Sequence, residues 1–201
     1  MTILYDLGIN LLAGLIGFVI GIPVTYYFIE PLLEKRVVSK ATDLVRFEVE
    51  HELWKPLKDL ATRAIAVAKA KNQAISQEQL RSASLAIDGF LNQFRARIPS
   101  QLEEHLVSMR WTIKVVEEIQ ESLEKHEAAK IFYLSFFPKM LGSGIYKLFD
   151  ELIAAGYVSR VDDECPKCGK SLSVSASHAL YCSGCQCSFS YSGIFSDKIG
   201  N

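Results

Sequence analysis

Cysteines are the residues of this chain best suited to chemistry, and all five of them, Cys165, Cys168, Cys182, Cys185 and Cys187, fall after Glu164. Five in 201 residues are too few for a disulfide scaffold, and their crowding at one end is how a local metal site looks. Cys165-Pro166-Lys167-Cys168-Gly169 and Tyr181-Cys182-Ser183-Gly184-Cys185 each hold a C-x2-C. That spacing lets two thiolates turn toward one point, and four sulfurs at about 2.3 Å satisfy a tetrahedral zinc completely, leaving no position open for a substrate. Gly169 and Gly184 permit tight turns at the two knuckles. A redox pair needs one C-x-x-C rather than two. Cys187 makes Cys185-x-Cys187 and is read as a packed spare thiol, with replacement of Cys185 as the alternative. His178, between the knuckles, is read as a solvated turn residue.

The paired knuckles resemble the zinc-ribbon superfamily over Tyr157 to Phe195. The resemblance implies one structural zinc held by Cys165, Cys168, Cys182 and Cys185 on a small antiparallel sheet. Ser171 to Ala176, Leu180 to Tyr181, and the alternation of Phe189 and Tyr191 with serines read as its three strands. About 40 residues cannot build a sufficient core alone, so metal binding should also be folding free energy. Zinc ribbons bind nucleic acid or protein, and charge favours protein. Arg160, Lys167, Lys170 and Lys198 are matched by Asp162, Asp163, Glu164 and Asp197, whereas a phosphate-binding module carries excess positive charge.

No other constellation names a reaction. Glu48-Val49-Glu50-His51 has the Glu-x-x-His spacing of di-iron bundles, but Leu102 and Leu123 stand three residues before His105 and His126, so no second motif exists and His51 is read as a surface histidine. HExxH, P-loop and Gly-x-Ser-x-Gly patterns are absent, and Gly142-Ser143-Gly144 does not meet the dinucleotide pattern. The chain is not expected to be an enzyme. Its formal net charge of −1 also excludes a whole-chain field for nucleic acid or anionic lipid.

The elements that carry the cysteines are helical. A first helix is expected from Pro31 to Lys71, with Leu53, Leu57, Leu60, Ala64 and Val67 as an apolar seam and a bend at Pro56 near Trp54. Ser76 and Gln79 have capping-box spacing, opening a second helix lined by Leu80, Ile87, Leu91, Phe94 and Ile98 and stopped by Pro99. Ser100 and Glu103 repeat the box before a third helix, whose Leu102, Leu106, Met109, Ile113, Val116 and Leu123 form the clearest seam, with polar Gln120 interrupting it. Ile131 to Leu141 is too short to cross a bilayer and is read as core packing, with membrane-surface contact or a partner groove as the alternatives. Gly142 and Gly144 then break the chain before a short helix, Ile145 to Ala155, capped by Gly156. Such seams suit an antiparallel bundle or a coiled coil completed by a second chain. Ile145 to Arg160 also resembles the recognition helix and first wing strand of winged-helix DNA-binding domains, over sixteen residues and without their basic face.

At the other end, Leu7 to Ile29 holds 23 residues without a charged residue or histidine, enough to cross a bilayer. Lys35, Arg36, Lys40 and Arg46 follow it and none precedes it, which orients the C-terminus to the cytoplasm. Ala13, Gly17, Gly21 and Thr25 stack at four-residue spacing on one face, which either lets a second copy of the helix approach closely, making a homo-oligomer, or simply faces lipid.

The expected architecture is therefore mainly α: a single transmembrane anchor (1–30) in the inner membrane, a cytoplasmic helical bundle or coiled coil (31–156) and a β zinc ribbon (157–201). Its expected role is a membrane-anchored interaction or scaffold protein, with the lipid bilayer and a protein as partners and nucleic acid not expected. The alternative is a membrane-tethered nucleic-acid-binding regulator that uses the ribbon and the winged-helix-like segment.

Overall fold

A computed structural model describes residues 30–70, 75–123 and 127–200. The chain divides into two units, Met1–Asp43 and Leu44–Asn201. Among the described residues no helix is long and apolar enough to cross a membrane. This corrects the expected single-pass fold and inner-membrane localisation: what the structure supports is a mainly helical chain with a small three-stranded sheet. The physical reason is the charge distributed along every described helix. Even α5 (Glu127–Ala154), the longest helix described, carries Lys139, Lys147, Asp150 and Glu151 among its apolar residues. Leu7 to Ile29, with the stripe Ala13, Gly17, Gly21 and Thr25, lies outside the described residues.

Helix α1 (Glu30–Glu48) passes through one π-helical turn, Val49–Leu53, into α2 (Trp54–Ala70). Pro56 explains the position of that turn: it lacks an N–H and its ring crowds the carbonyl four residues earlier, so the preceding turn widens. Helix α3 (Gln77–Phe94) starts at Ser76, whose hydroxyl accepts the Gln79 N–H at 3.2 Å and donates to the Gln79 side-chain oxygen. A 3-10 turn, Arg95–Arg97, leads to Ile98 in extended conformation, as a following proline demands. Helix α4 (Ser100–Leu123) does not use the expected second box: the Glu103 N–H donates to the Pro99 carbonyl, and its carboxylate accepts from Arg95 at 2.5 Å.

The expected break at Gly142 and Gly144 does not occur, because α5 runs through Pro138 and both glycines. Their role is close approach. A Cβ on Gly142 would lie 2.5 Å from the Phe195 ring, and one on Gly144 would collide with the Met109 methyl. Helix α5 ends in a Schellman motif at Gly156 (φ 74°), with Gly156 N–H on the Ile153 carbonyl and Tyr157 N–H on that of Leu152. The winged-helix likeness therefore falls on the end of a 28-residue helix, and 157–161 form no strand.

Helices α2, α3, α4 and α5 close a ring in which each packs on the next and α5 returns to α2. The three seams meet inside it: Leu53, Leu57, Leu60, Leu80, Ile87, Leu106 and Ile113 are fully buried in one core. One chain thus satisfies seams that the sequence alone leaves open to a partner. Gln120 donates to the Ile75 carbonyl at 2.7 Å and accepts from the Tyr133 hydroxyl at 3.0 Å, so the polar break in the α4 seam ties α4 to the start of α3 and to α5. Of Ile131 to Leu141, Tyr133 and Leu141 are buried and Phe136 is exposed.

The sheet is antiparallel in the order β1 (Ser173–Val174), β2 (Leu180–Cys182), β3 (Cys187–Phe189). Its register places Val174 opposite Leu180 and Cys182 opposite Cys187. The third strand stops short of the expected Tyr191, which instead opens helix α6 (Tyr191–Gly200). The cause is tertiary: the Asp150 carboxylate on α5 accepts the N–H groups of Tyr191 (2.5 Å) and Ser192 (3.0 Å) and the Ser192 hydroxyl (2.6 Å). It caps the N-terminus of α6, where backbone donors are unsatisfied and the helix dipole favours a negative charge.

Candidate metal centre

Each knuckle is a hairpin turn whose backbone aims two sulfurs inward. In the first, the Cys165 N–H donates to the Lys170 carbonyl at 2.7 Å and the Gly169 N–H to the Cys165 carbonyl at 2.9 Å, with Gly169 at φ 70°. In the second, Cys182 ends β2, Cys187 begins β3, and Gln186 holds φ 54°. The left-handed residue thus follows the second cysteine of both knuckles, and only the first knuckle fills it with glycine. Gly184 serves differently from the turn role expected of it. A Cβ there would lie 2.5 Å from the Lys170 side chain and 3.1 Å from the Cys168 sulfur, so the small residue lets the knuckles approach.

The sulfurs pair across the knuckles, Cys165 with Cys185 at 3.6 Å and Cys168 with Cys182 at 3.4 Å, and all four lie within 4.8 Å of one another. Disulfide sulfurs would stand at about 2.05 Å. A tetrahedron with metal–sulfur bonds of about 2.3 Å has edges of roughly 3.8 Å, close to these separations. Cys165 and Cys182 are buried, Cys185 is half-buried and Cys168 is exposed. The backbone N–H of Cys185, then the Cys168 thiol and the Gly184 N–H, hold Cys182 down to about 6, while burial and the neighbouring sulfurs push Cys185 up to about 12. Four sulfurs this close can all be thiolates only around a cation, and soft sulfur donors in this geometry fit a single ion.

Among the described residues this is the one group of three or more potential ligands close enough to hold a metal. Cys187 stands outside it: its thiol donates to the Cys185 carbonyl at 3.3 Å, with the Lys167 ammonium 3.9 Å from the sulfur. His51 stacks on Phe47 and bonds its own helix at the Phe47 carbonyl. His178 sits at φ 55° in the turn after β1, with its ring against Gly156, where a Cβ would meet Cε1 at 3.0 Å. It is exposed in that turn, as expected of it, and its ring also marks the junction with the bundle.

That junction is what sequence reasoning missed. Arg46 donates twice to the Gly156 carbonyl, Glu50 accepts from the N–H and hydroxyl of Ser159 at 2.7 Å each, and Lys58 pairs with Asp163 at 3.1 Å. The Tyr191 hydroxyl donates to the same Asp163. Behind them Trp54 stacks on Phe149 with ring centroids 4.1 Å apart, and Tyr191 sets its edge against Trp54, Phe149 and Tyr146. The available signal was the strict four-residue spacing of Arg46, Glu50, Trp54 and Lys58. An α-helix drifts off that spacing by roughly 40° per step. The π turn, which needs more residues per turn, removes part of the drift and keeps the four on one face.

Fold and site together define a helical bundle that carries a closed four-cysteine cluster, able to hold one metal ion and compatible with a zinc ribbon. No protein-family model, no curated protein and no solved structure matches the chain.

Proposed function

We propose that this chain is a non-enzymatic interaction protein in which Cys165, Cys168, Cys182 and Cys185 hold one structural zinc and the resulting ribbon contacts a protein partner. The observation that carries the reading is the closure of the cluster: all four sulfurs face one another, so a bound zinc has no site left for substrate or activated water. Zinc is favoured over other ions because four thiolates in a tetrahedron suit a soft-tolerant ion with no redox chemistry of its own. The exposed knuckle tips, Pro166, Lys167 and Ser183, offer a small surface of mixed character. The matched charges of 157–201 favour protein over phosphate.

Elemental analysis of the purified full-length chain should give one zinc per chain. A partner captured by the full-length chain should be lost by Cys182→Ser and weakened by Lys167→Glu. A catalytic turnover dependent on the zinc would overturn the structural role. Affinity for DNA or RNA falling steeply with salt would overturn the protein partner.

A further inference from the structure

Helix α4 has two faces. Its inward seam, Leu106, Met109 and Ile113, is buried in the bundle. On the opposite side Glu104, Val107, Trp111, Lys114 and Glu118 recur at steps of three and four, which places them on one outward stripe. Trp111 is 68% exposed and Val107 42%. Beside them Arg95, Glu103, Glu104, Val107, Ser108 and Trp111 line an open groove. A tryptophan left in water next to a groove is the residue type that most often anchors an interface.

We propose that this face docks on the same face of a second copy of the chain, with the two α4 helices antiparallel about a two-fold axis level with Met109. Charge order along the stripe decides the direction. Glu103 and Glu104 stand near its start and Lys114 beyond its middle. Parallel pairing would set Glu104 against Glu104 and Lys114 against Lys114, whereas antiparallel pairing about Met109 sets Lys114 against Glu104 in both halves. The same register puts Trp111 of each copy opposite Val107 of the other, at the mouth of the groove. It also brings Glu118 to Ser100, the N-terminal end of α4, where the helix dipole favours a negative charge. The pairing is isologous, so each contact occurs twice. It uses no cysteine and stands apart from the metal reading.

Sedimentation equilibrium of the full-length chain up to several hundred micromolar tests it. The mass should rise with concentration from 22.5 kDa toward twice that value, and Trp111 emission should shift to shorter wavelength in parallel. Trp111→Asp should weaken association by roughly 30-fold or more, the scale of an interface anchor. Glu104→Lys and Lys114→Glu, both at exposed positions, should each weaken it, and an equimolar mixture of the two should recover it, because opposite charges then meet on both sides of the axis. A chain that stays at monomer mass with unshifted emission would overturn the proposal. So would self-association untouched by Trp111→Asp, or a mixture that fails to recover.

Discussion

The four-helix ring and the cysteine knuckles are held by different physics, although they share one unit of the fold. In the ring, fully buried Leu53, Leu57, Leu60, Leu80 and Leu106 stabilise the structure by leaving water, each by about 1.5–3 kcal/mol. Between Asp162 and Ser190 the large buried side chains shrink to Leu172 and Leu180, beside the cysteines Cys165 and Cys182. Strands of two and three residues cannot hold themselves, and a left-handed Gln186 adds strain. On the proposed reading the knuckles would then depend on a metal and on the fastenings at their edges, whereas the ring, with its own buried core, would depend on neither. A chain can thus hide a region with almost no core by mounting it on one that has plenty.

The comparison breaks most visibly on removing the metal. Cys182→Ser, or a strong chelator, should unfold the segment between Asp162 and Ser190 while the ring keeps its helices. For a cysteine site of this kind the binding energy at stake is on the order of 10 kcal/mol. Limited proteolysis should cut within that segment and nowhere in α2 to α5, and far-UV circular dichroism should stay helical. Helix α6 should remain docked, because Tyr191 and Phe195 sit in the aromatic cluster of the ring. Cys187→Ser should retain the metal, since its sulfur bonds the Cys185 carbonyl rather than joining the cluster. Simultaneous loss of the helices on chelation would show that the two regions are one cooperative unit.

The converse perturbation is Leu60→Ala or Leu106→Ala. Both side chains are fully buried in the ring, so each should cost about 2–5 kcal/mol by denaturant titration. One zinc per chain should remain bound below the unfolding transition. Loss of zinc from a folded Leu106→Ala variant would mean that the knuckles are shaped by the ring's core.

A milder test works on the junction through pH. Burial raises the phenol of Tyr191 above its ordinary range, with Asp163 adding to the shift, and burial pushes Tyr133 and Tyr146 up to about 12. A phenol raised in the folded state is protonated there while the unfolded chain has already lost its proton. Stability is therefore fully present below about pH 10, the unfolded value, and falls as pH rises beyond it. The melting temperature should drop by several degrees between pH 9.5 and 11, and less steeply in Tyr191→Phe, whatever that variant's starting stability. An unchanged slope in Tyr191→Phe would place the loss on the other tyrosines.

Periodicity made the ring legible in the sequence: the apolar positions of the three seams that the structure describes lie in one core, and Ser76 caps α3 as its spacing implies. Residue type misled at Gly142 and Gly144, because a glycine that breaks a helix and one that admits a neighbour's side chain look alike until the neighbour is known. Spacing showed the cysteine cluster because its ligands are local in pairs. The junction stayed hidden, since Asp150 caps a helix 41 residues away and Arg46 meets a carbonyl 110 residues away. Such partners carry no local signature. The expected membrane span rested on hydropathy of residues outside those described, and no described helix supplies one.

The smallest expected effect sharpens the contrast between the two knuckles. Gly169 and Gln186 occupy the same left-handed position after the second cysteine of each turn, at φ 70° and 54°. A side chain there costs roughly 1–2 kcal/mol relative to glycine, offset by glycine's greater loss of freedom on folding, about 0.5–1 kcal/mol. Gln186→Gly should therefore stabilise the knuckle slightly, by up to about 1 kcal/mol, while Gly169→Ala should destabilise it by a similar amount. Both changes act on the turn that aims a sulfur, so they should appear as opposite, severalfold changes in zinc affinity by competition with a chromogenic chelator. The denaturant midpoint of the ring should move in neither. If Gln186→Gly weakens zinc binding instead, the Gln186 side chain contributes a contact that outweighs its backbone strain.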